Sequence, residues 1–382
     1  MKKALLASTA LVGAALLSAP AQAGTVGSGD NLAVRLSGFM WFQAHVLDEQ
    51  GSQRAGFGRG YDFDIPETEV HINASNTADN GIKYGVSIEM EVNTDASDNG
   101  DEVWAFLSGD FGRIEMGDQD DVTNRMLVGA FQAHKGISGP FGGLGGVFPV
   151  FHNGFGAVGA LGSPYLYRTD IQAATSSDRT KVIYFSPRFS GFQVGASFTP
   201  DSGANGASFG ETDNDTSFNN MISLGLNYTG KFDDVGVSAT VSYETAEQEI
   251  DGADNVNEDL ELLHIGAKVD FAGFTVGANY RDNGDSTLST AAVSAGADQG
   301  DYWAVGAGYQ QGPWGVSAWY SLGERDVSSS VENTVERWGL GARYAIAPGW
   351  QVRADYNNAT QETTGSEDLK AQAFILTNMF NF

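Results

Sequence analysis

Residues 337–357 read RWGLGARYAIAPGWQVRADYN and divide into two alternating segments on either side of Ala347-Pro348-Gly349. Charged, polar or glycine residues occupy every second position of each segment. The positions between them are apolar or aromatic: Trp338, Leu340, Ala342, Tyr344 and Ile346 in the first segment, and Trp350, Val352, Ala354 and Tyr356 in the second. A period of two places such residues on one face of a β-strand. The stretch therefore predicts an antiparallel hairpin in which each strand has one apolar face.

The aromatic residues of this hairpin lie near both ends of each apolar face, six residues apart. The same spacing recurs at Phe192/Phe198, Phe274/Tyr280, Trp303/Tyr309 and Trp314/Tyr320. Six residues extend roughly 20 Å along a strand, and neighbouring tilted strands complete an apolar band of about 25 Å. Because amphipathic rings prefer the boundary between hydrocarbon and water, this pattern predicts membrane-spanning strands whose apolar faces contact lipid. A soluble antiparallel sheet is the alternative, but its aromatic residues would be scattered along the face.

The first 23 residues have the features of an export signal. Lys2 and Lys3 form a basic start, residues 4–17 are apolar, and Ala21-Gln22-Ala23 is a small-residue cleavage site. We therefore expect residues 1–23 to be a signal peptide and the mature chain to begin at Gly24. No other stretch approaches the roughly 18 apolar residues that a membrane helix requires.

Composition narrows the classes of function. The chain has no cysteine, so no disulfide stabilises it after export. Removal of Lys2 and Lys3 leaves 19 of the 21 basic residues against 48 acidic ones, a formal net charge of −29. Such a charge disfavours nucleic acid as a partner and fits surfaces that hold divalent cations or are simply well solvated.

Residues 24–382 contain sixteen strand-like segments and no domain boundary. Short turns alternate with longer, acidic loops, which include residues 47–66, 201–219, 282–300 and 358–368. This alternation is typical of outer-membrane barrels. Because unpaired strand edges are not tolerated in lipid, the sheet must close. The predicted fold is all-β: a transmembrane antiparallel β-barrel of 16 strands.

Residues 118–178 interrupt the pattern, with no clean alternation for about sixty residues. Loops of this length are uncommon unless they are functional or disordered, and this one is rich in phenylalanine and tyrosine, which disordered segments lack. Residues 121–134 fit a short helix capped by Asp120 or Asp121.

Three short motifs carry a family resemblance. Residues 109–117 read GDFGRIEMG, residues 181–187 read KVIYFSP and are followed by Gly191-Phe192, and the chain ends in Phe382 with apolar residues at alternate preceding positions. These motifs resemble the general porin family of the Gram-negative outer membrane, particularly the acidic porins of alphaproteobacteria. The chain departs from the family at Ile183, where an inward polar residue is common, at Asn378 in the last strand, and before Phe141, where an acidic residue is usual.

The resemblance implies that the third loop, residues 118–178, folds into the lumen and narrows it. The expected acidic side of the constriction is Asp118, Asp120 and Asp121. The expected basic side consists of residues at the alternate strand positions that should face the lumen: Arg35, Lys83, Arg113, Arg337, Arg343 and Arg353. Opposed charges across a narrow pore would create a transverse field that orients solutes. The alternative is that Asp120 and Asp121 only cap a helix and that some of the arginines pair with acids on neighbouring strands.

The resemblance also implies partners. It implies a homotrimer in which the short loop 93–101 contacts a neighbour, an environment of outer-membrane lipid and lipopolysaccharide, and reading of Phe382 by the barrel-insertion machinery. Loop acids Asp213, Asp215, Asp251 and Asp254 are candidate Ca²⁺ ligands, although solvated acidic loops are the commoner case and no EF-hand spacing is present. No other cofactor is expected.

We therefore predict a diffusion channel for small hydrophilic solutes and ions in the bacterial outer membrane, with a mild preference for cations and no covalent chemistry. A substrate-selective channel, for instance for sugars, a hydrolase barrel and a non-conducting surface barrel are the alternatives. Two enzyme-like motifs lack the required context: G-x-S-x-G at 206–210 lies in a polar loop, and G-x-G-x-x-G at 154–159 has no βαβ unit around it. The five histidines show no metal-ligand spacing, although His264 shares inward parity with Lys268.

Overall fold

The computed structural model describes residues 32–50, 60–92, 100–137, 139–140, 176, 178–202, 218–248 and 257–382. Strands dominate the described chain. They are β1 (Ala33–Gln50), β2 (Tyr61–Asp64), β3 (Thr68–Thr77), β4 (Lys83–Glu91), β5 (Gly100–Gly109), β6 (Gly112–Asp118), β7 (Thr180–Phe185), β8 (Phe192–Asp201), β9 (Phe218–Phe232), β10 (Val235–Gln248), β11 (Leu260–Phe271), β12 (Phe274–Asp282), β13 (Asp298–Gln311), β14 (Trp314–Ser328), β15 (Val331–Ala347), β16 (Trp350–Thr363) and β17 (Leu369–Asn381). The helices are α1 (Val122–Arg125), a 3₁₀ turn (Ala130–Ala133) and α2 (Thr290–Ser294).

These strands form one closed antiparallel sheet. From β3 to β17 each strand pairs with its neighbour in sequence, and β1 pairs with β17 from Phe39↔Asn381 to Gln50↔Lys370. β2 and β3 both pair with β1, one above the other, so together they form the second of sixteen barrel strands. The predicted closed 16-stranded antiparallel barrel is thus confirmed.

The outer face carries the apolar residues. Exposure alternates along the strands, and outward residues such as Leu340, Val316 and Leu224 are about half exposed. The aromatic residues predicted to mark the membrane boundaries meet across strands with ring centroids 4.2–5.9 Å apart. Pairs such as Trp314–Tyr344 lie near the short turns, whereas Trp338–Tyr356 lies toward the long loops. These rings form the two aromatic girdles of a membrane barrel.

The last residue completes the closure between β1 and β17. The backbone N–H of Phe382 donates to the Gly38 carbonyl at 3.0 Å, and the Gly38 N–H donates to the Phe382 carbonyl at 2.9 Å. The Phe382 ring lies over Gly38, where a side chain would come within 2.6 Å of it. A glycine at this position therefore permits the terminal ring to pack against the first strand.

Several strands are longer than the sequence pattern indicates. β14 continues to Ser328 and β15 begins at Val331, and a tight turn joins them. β16 likewise continues to Thr363, inside the predicted loop 358–368. Beyond the girdle both faces of a strand meet water, so the apolar alternation disappears although the backbone pairing continues. Loop 282–300 contains α2, whose Ser289 Oγ accepts the Ala292 N–H at 3.2 Å.

Among the described residues, no helix is long and apolar enough to cross a membrane. Residues 1–23, the predicted signal peptide, lie outside the described part of the chain.

The lipid-facing parity can be tested by charge substitution at two depths of β15. Leu340→Arg places a cation between the girdles and should lower the free energy of unfolding by about 2–4 kcal/mol. Ile346→Arg, on the same face but beyond Tyr344, should cost only about 0–1 kcal/mol. Urea titration of the barrel in lipid vesicles measures both. Equal costs at the two depths would contradict the orientation of β15.

Candidate functional site: the lumen and the third loop

The described part of the third loop begins with a short capped helix. Asp121 is the N-cap of α1: its Oδ1 accepts the Asn124 N–H at 3.1 Å and the Thr123 hydroxyl at 2.7 Å. Its Oδ2 accepts the hydroxyl of Ser223, on the wall strand β9, at 3.0 Å. The predicted helix over 121–134 is wrong in length, because α1 ends at Arg125 and a 3₁₀ turn forms only at Ala130–Ala133.

The helix α1 lies on an apolar patch of the inner wall. Val122 and Met126 pack with the inward-facing Ile183 and Phe185 of β7. They also cover Gly195 and Gly225, where an added Cβ would come within 2.7–2.9 Å of them. The family departure at Ile183 therefore has a structural role, since an apolar wall residue is what an apolar loop helix packs against.

Beyond α1, the loop backbone runs directly over glycines of the wall. Carbonyl oxygens of Val128, Gly129, Ala130 and Ala133 lie where side chains of successive wall strands would otherwise stand. A Cβ would come within 1.7–2.7 Å of these oxygens at four inward positions, Gly266, Gly277, Gly306 and Gly308. We call these four residues the glycine row. Because the row spans β11 to β13, the described loop segment from Val128 to Ala133 lies inside the barrel against the inner wall of these strands.

A polar network fixes the end of this segment to β14 and β16. Asp355 accepts from His134 Nε2 at 2.7 Å through Oδ1 and from the Ile137 N–H at 2.9 Å through Oδ2. Arg353 donates to the Gly136 carbonyl at 2.9 Å. His134 Nδ1 lies 3.1 Å from the Ser317 hydroxyl. We call these contacts the loop anchor.

The anchor brings together a serine, a histidine and an aspartate, the residue types of a hydrolytic triad. Ser317 Oγ, however, already accepts the Lys135 N–H at 2.8 Å, and the Asp355 carboxylate and His134 ring are buried beneath the loop. A hydroxyl that holds the loop backbone is not presented to a substrate. The geometry is therefore that of a tether.

The three predicted acidic residues lie in different surroundings. Asp118 has outward parity, on the face of Met116, and accepts the Thr180 hydroxyl. Asp121 is fully buried as the helix cap. Asp120 lies on the lumen side, where its Oδ1 accepts from Asn124 at 2.6 Å and its N–H donates to Glu102 at 3.2 Å. Burial, and then the charge of Asp178, raise the pKa of Asp120 to about 6.

The predicted basic residues also lie in different surroundings. Arg35 and Lys83 are exposed near the short-turn ends of β1 and β4. Arg113 is ion-paired with the buried Glu115 and covers the Phe106 ring at 3.9 Å. Arg337 lies 5.4 Å from the Trp319 ring centroid.

Arg343 and Arg353 form a basic cluster with Lys135 of the loop, which sequence patterns did not indicate. Burial, and then the nearby Arg343 guanidinium, lower the pKa of Lys135. The pKa is lowered because like charges and a dry environment both disfavour the ammonium. This cluster lies on the β15–β16 side of the lumen.

A group of carboxylates that was not predicted from the sequence lies on the opposite part of the wall. Glu69, Glu89, Glu91 and Glu102 share inward parity on β3, β4 and β5. A bulge between Glu89 and Met90 in the β4–β5 pairing brings Asp101 to the same group, and Glu67 joins it at the break before β3. We call these six residues the acidic wall. The acidic wall could have been predicted from the sequence, because Glu89 and Glu91 alternate with lipid-facing residues.

A second basic residue of the loop was missed as well. Arg125, at the end of α1, donates to Glu115 Oε2 and to Gln119 Oε1, both at 2.8 Å. Glu115 is completely buried between Arg125 and Arg113. This paired group ties the start of the loop to β6.

A closed sixteen-stranded barrel with a lipid-facing exterior, a polar interior and a loop segment against its inner wall is the architecture of a water-filled membrane channel. The chain belongs to the Gram-negative porin family, whose model matches residues 7–364. It is therefore an outer-membrane diffusion channel, as the sequence predicted.

Relatives and solved structures agree with this assignment. A porin from Rhodobacter capsulatus is 24% identical over 298 residues, covering 75% of this chain and 84% of the relative. The uncharacterized protein RP068 of Rickettsia prowazekii is 23% identical and covers 91% of both chains. An anion-selective porin from Comamonas acidovorans has a TM-score of 0.62 at 14% identity, covering 92% of this chain and all of the other. The trimer form of OmpT from Vibrio cholerae has a TM-score of 0.58 at 14% identity over the same shares.

The glycine row provides a test of what holds the loop against the wall. Gly266→Ala puts a methyl group 1.7 Å from the Val128 carbonyl oxygen and should push the loop into the lumen. We expect a lower single-channel conductance in planar bilayers and a loss of about 1–3 kcal/mol in unfolding free energy.

Gly236→Ala is the matched control, because this inward glycine has no neighbour closer than 3.4 Å to an added Cβ. Its conductance should match that of the wild type. A loss in Gly236→Ala equal to that in Gly266→Ala would show that alanine in the wall, and not contact with the loop, lowers conductance.

Proposed function

We propose that the third loop and the acidic wall form the constriction of this diffusion channel, and that the channel favours small hydrophilic cations over anions. The observation that carries the proposal is the composition of the acidic wall. The main charged neighbours of Asp101 are Asp178, Glu69, Glu91 and Glu89, all of them acidic. Carboxylates that outnumber the cations around them in a half-buried space raise the local concentration of cations.

The charges on the two sides of the lumen add a transverse field. The acidic wall, with Asp120 and Asp178, lies on the β3–β5 side, whereas Lys135, Arg343 and Arg353 lie on the β15–β16 side. Opposed charges in a lumen of low effective dielectric orient dipolar solutes during passage. Among the predicted constriction residues, Asp120, Arg343 and Arg353 belong to the proposed constriction. Asp118, on the outward face, and Asp121, the cap of α1, support the structure around it.

The sugar-selective alternative gains no specific support from the described lumen. Such a channel needs an accessible line of aromatic faces, but three inward aromatic residues of the described lumen are covered. Arg113 lies over Phe106, Arg337 lies beside Trp319, and the Tyr302 hydroxyl donates to the Pro140 carbonyl at 2.9 Å. General diffusion is therefore the better-supported mode.

Assembly and biogenesis follow from the same family. We propose a homotrimer in which loop 93–101 contacts a neighbouring subunit; residues 93–99 lie outside the described chain. The short β2 pairs with β1 alone among the described strands and exposes Phe63 and Tyr61 outward, a surface that a neighbouring subunit or lipid would cover. Lipopolysaccharide contact, removal of residues 1–23 and reading of Phe382 by the insertion machinery belong to this proposal.

Calcium binding by loop acids is a separate proposal. Asp213, Asp215, Asp251 and Asp254 lie outside the described residues, so it rests on their sequence alone. Carboxylate-rich loops of this kind suit Ca²⁺ and would connect neighbouring loops or bridge to phosphorylated headgroups.

Ion selectivity tests the proposed function. In planar bilayers the wild type should conduct, and its reversal potential across a KCl gradient should show cation preference. Glu91→Gln removes a charge of the acidic wall and should reduce that preference. Glu362→Gln removes an exposed charge at the far end of β16 and should leave it unchanged. Anion preference in the wild type would overturn the proposal.

Asp120 gives the selectivity a pH dependence. Since its pKa is raised to about 6, this carboxyl is ionised at neutral pH and becomes neutral as the pH falls through that value. Cation preference should therefore decline between about pH 7 and pH 5. Asp120→Asn should lower the preference at neutral pH and flatten this decline, whereas Asp118→Asn, on the outward face, should keep the wild-type profile. Identical profiles for the two variants would remove Asp120 from the constriction.

A further inference from the structure

One member of the acidic wall region is a histidine. His71, on β3, has its Nε2 2.6 Å from Glu69 Oε2 and its Nδ1 3.8 Å from Glu89 Oε1. One donor atom from each of these three residues can be chosen so that all lie within 4.8 Å of one another. An imidazole and two carboxylates therefore converge at one point of the lumen wall.

The three donors are held by strands, not by a flexible loop. His71 and Glu89 are directly opposite in the β3–β4 pairing, and Glu69 is two residues before His71 on the same face. The Phe39 ring lies edge-on to the imidazole with centroids 5.8 Å apart. Ser87 donates to Asn73 at 2.9 Å and lies 3.5 Å from Glu89 Oε1. Rigid elements with such supporting contacts pre-organise a binding site.

The surroundings favour a multivalent cation. The side chains of His71, Glu69 and Glu89 are 22%, 12% and 21% exposed, so the lumen reaches them although water only partly surrounds them. The main charged neighbours of Glu67 are Glu69, Glu91 and Asp101. The cations facing Glu89 are His71 and Arg125, and Arg125 is already bonded to Glu115. Negative charge at this point therefore exceeds what nearby side chains neutralise.

The donor types distinguish between metals. Ca²⁺ and Mg²⁺ prefer oxygen ligands alone, whereas Zn²⁺ and its neighbours in the first transition row combine imidazole nitrogen with carboxylate oxygen. We propose that Glu69, His71 and Glu89 form a binding site for a borderline divalent transition-metal ion such as Zn²⁺. Zn²⁺ replaces the proton that His71 shares with Glu69, and that proton is released to water. The bound ion adds positive charge to the acidic wall.

This site differs in chemistry from the other group of converging donors, Glu102, Asp120 and Asp178. That group contains only carboxylates and therefore offers nothing that would favour Zn²⁺ over Ca²⁺. His71 is the residue that gives selectivity, so its replacement is the decisive variant.

Equilibrium dialysis of the purified full-length protein in detergent against ZnCl₂ measures the site directly. We expect one tightly bound equivalent in the wild type and an affinity lower by about tenfold or more in His71→Gln. Glu69→Gln and Glu89→Gln should also weaken binding. His264→Gln is the matched control, because this inward histidine faces the Val128 carbonyl and Arg281 and should bind Zn²⁺ like the wild type. A large excess of Ca²⁺ should not displace the ion.

Two results would overturn the site. Unchanged Zn²⁺ affinity in His71→Gln would show that the imidazole is not a ligand. Displacement of Zn²⁺ by an equal concentration of Ca²⁺ would show that the acidic wall only attracts counter-ions.

A bilayer measurement relates the site to transport, and this part rests on the proposed function. Micromolar Zn²⁺ should reduce the cation preference of the wild type and of His264→Gln but not that of His71→Gln. A channel that conducts with cation preference and shows no such Zn²⁺ response contradicts the inference alone. A protein that does not conduct before metal is added contradicts the proposed function, while dialysis still tests the site.

Discussion

Every other feature of this molecule depends on the absence of water in the hydrocarbon layer. Backbone groups there have no hydrogen-bond partner except another strand, so a sheet with an open edge is excluded. The pairing of β1 with β17, completed by the reciprocal hydrogen bonds of Gly38 and Phe382, satisfies this requirement. Closure with sixteen strands then fixes the interior as a space that wall side chains alone do not fill.

The wide interior explains why the wall and the third loop are fitted to each other. A loop that occupies the lumen needs its own backbone partners and a surface to lie on. The inner wall supplies both: apolar Ile183 and Phe185 beneath α1, the glycine row beneath the carbonyls, and Asp355 with Arg353 at the far end. The lumen-facing side is left to charged groups, and their division between the acidic wall and the Lys135 cluster gives the channel its electrostatic asymmetry.

The fold could be predicted from sequence because lipid imposes a pattern on every strand. Alternation and aromatic spacing predicted the barrel and its strand number. The ends of β14 and β16 were not predicted, because the strands lose that pattern where they leave the membrane. The site was harder to predict. Asp118 and Asp121 were proposed from their position in the loop, but Asp118 has outward parity in β6 and Asp121 is buried as the cap of α1. His71 showed no metal-ligand spacing, because its partner Glu89 lies across a strand pair and not at a fixed interval along the chain.

The loop anchor has a consequence for the order of assembly. His134 and Asp355 are 221 residues apart in the chain, and the strand that carries Asp355 is the last but one before the barrel closes. An incomplete barrel that lacks β16 cannot bind residues 134–137 through Asp355 and Arg353. Full attachment of this loop segment to the wall is therefore a late event in biogenesis, which follows the arrival of the final strands. A chain truncated before β16 would leave residues 134–137 with only their contacts to Ser317 on β14, even where the earlier strands had inserted.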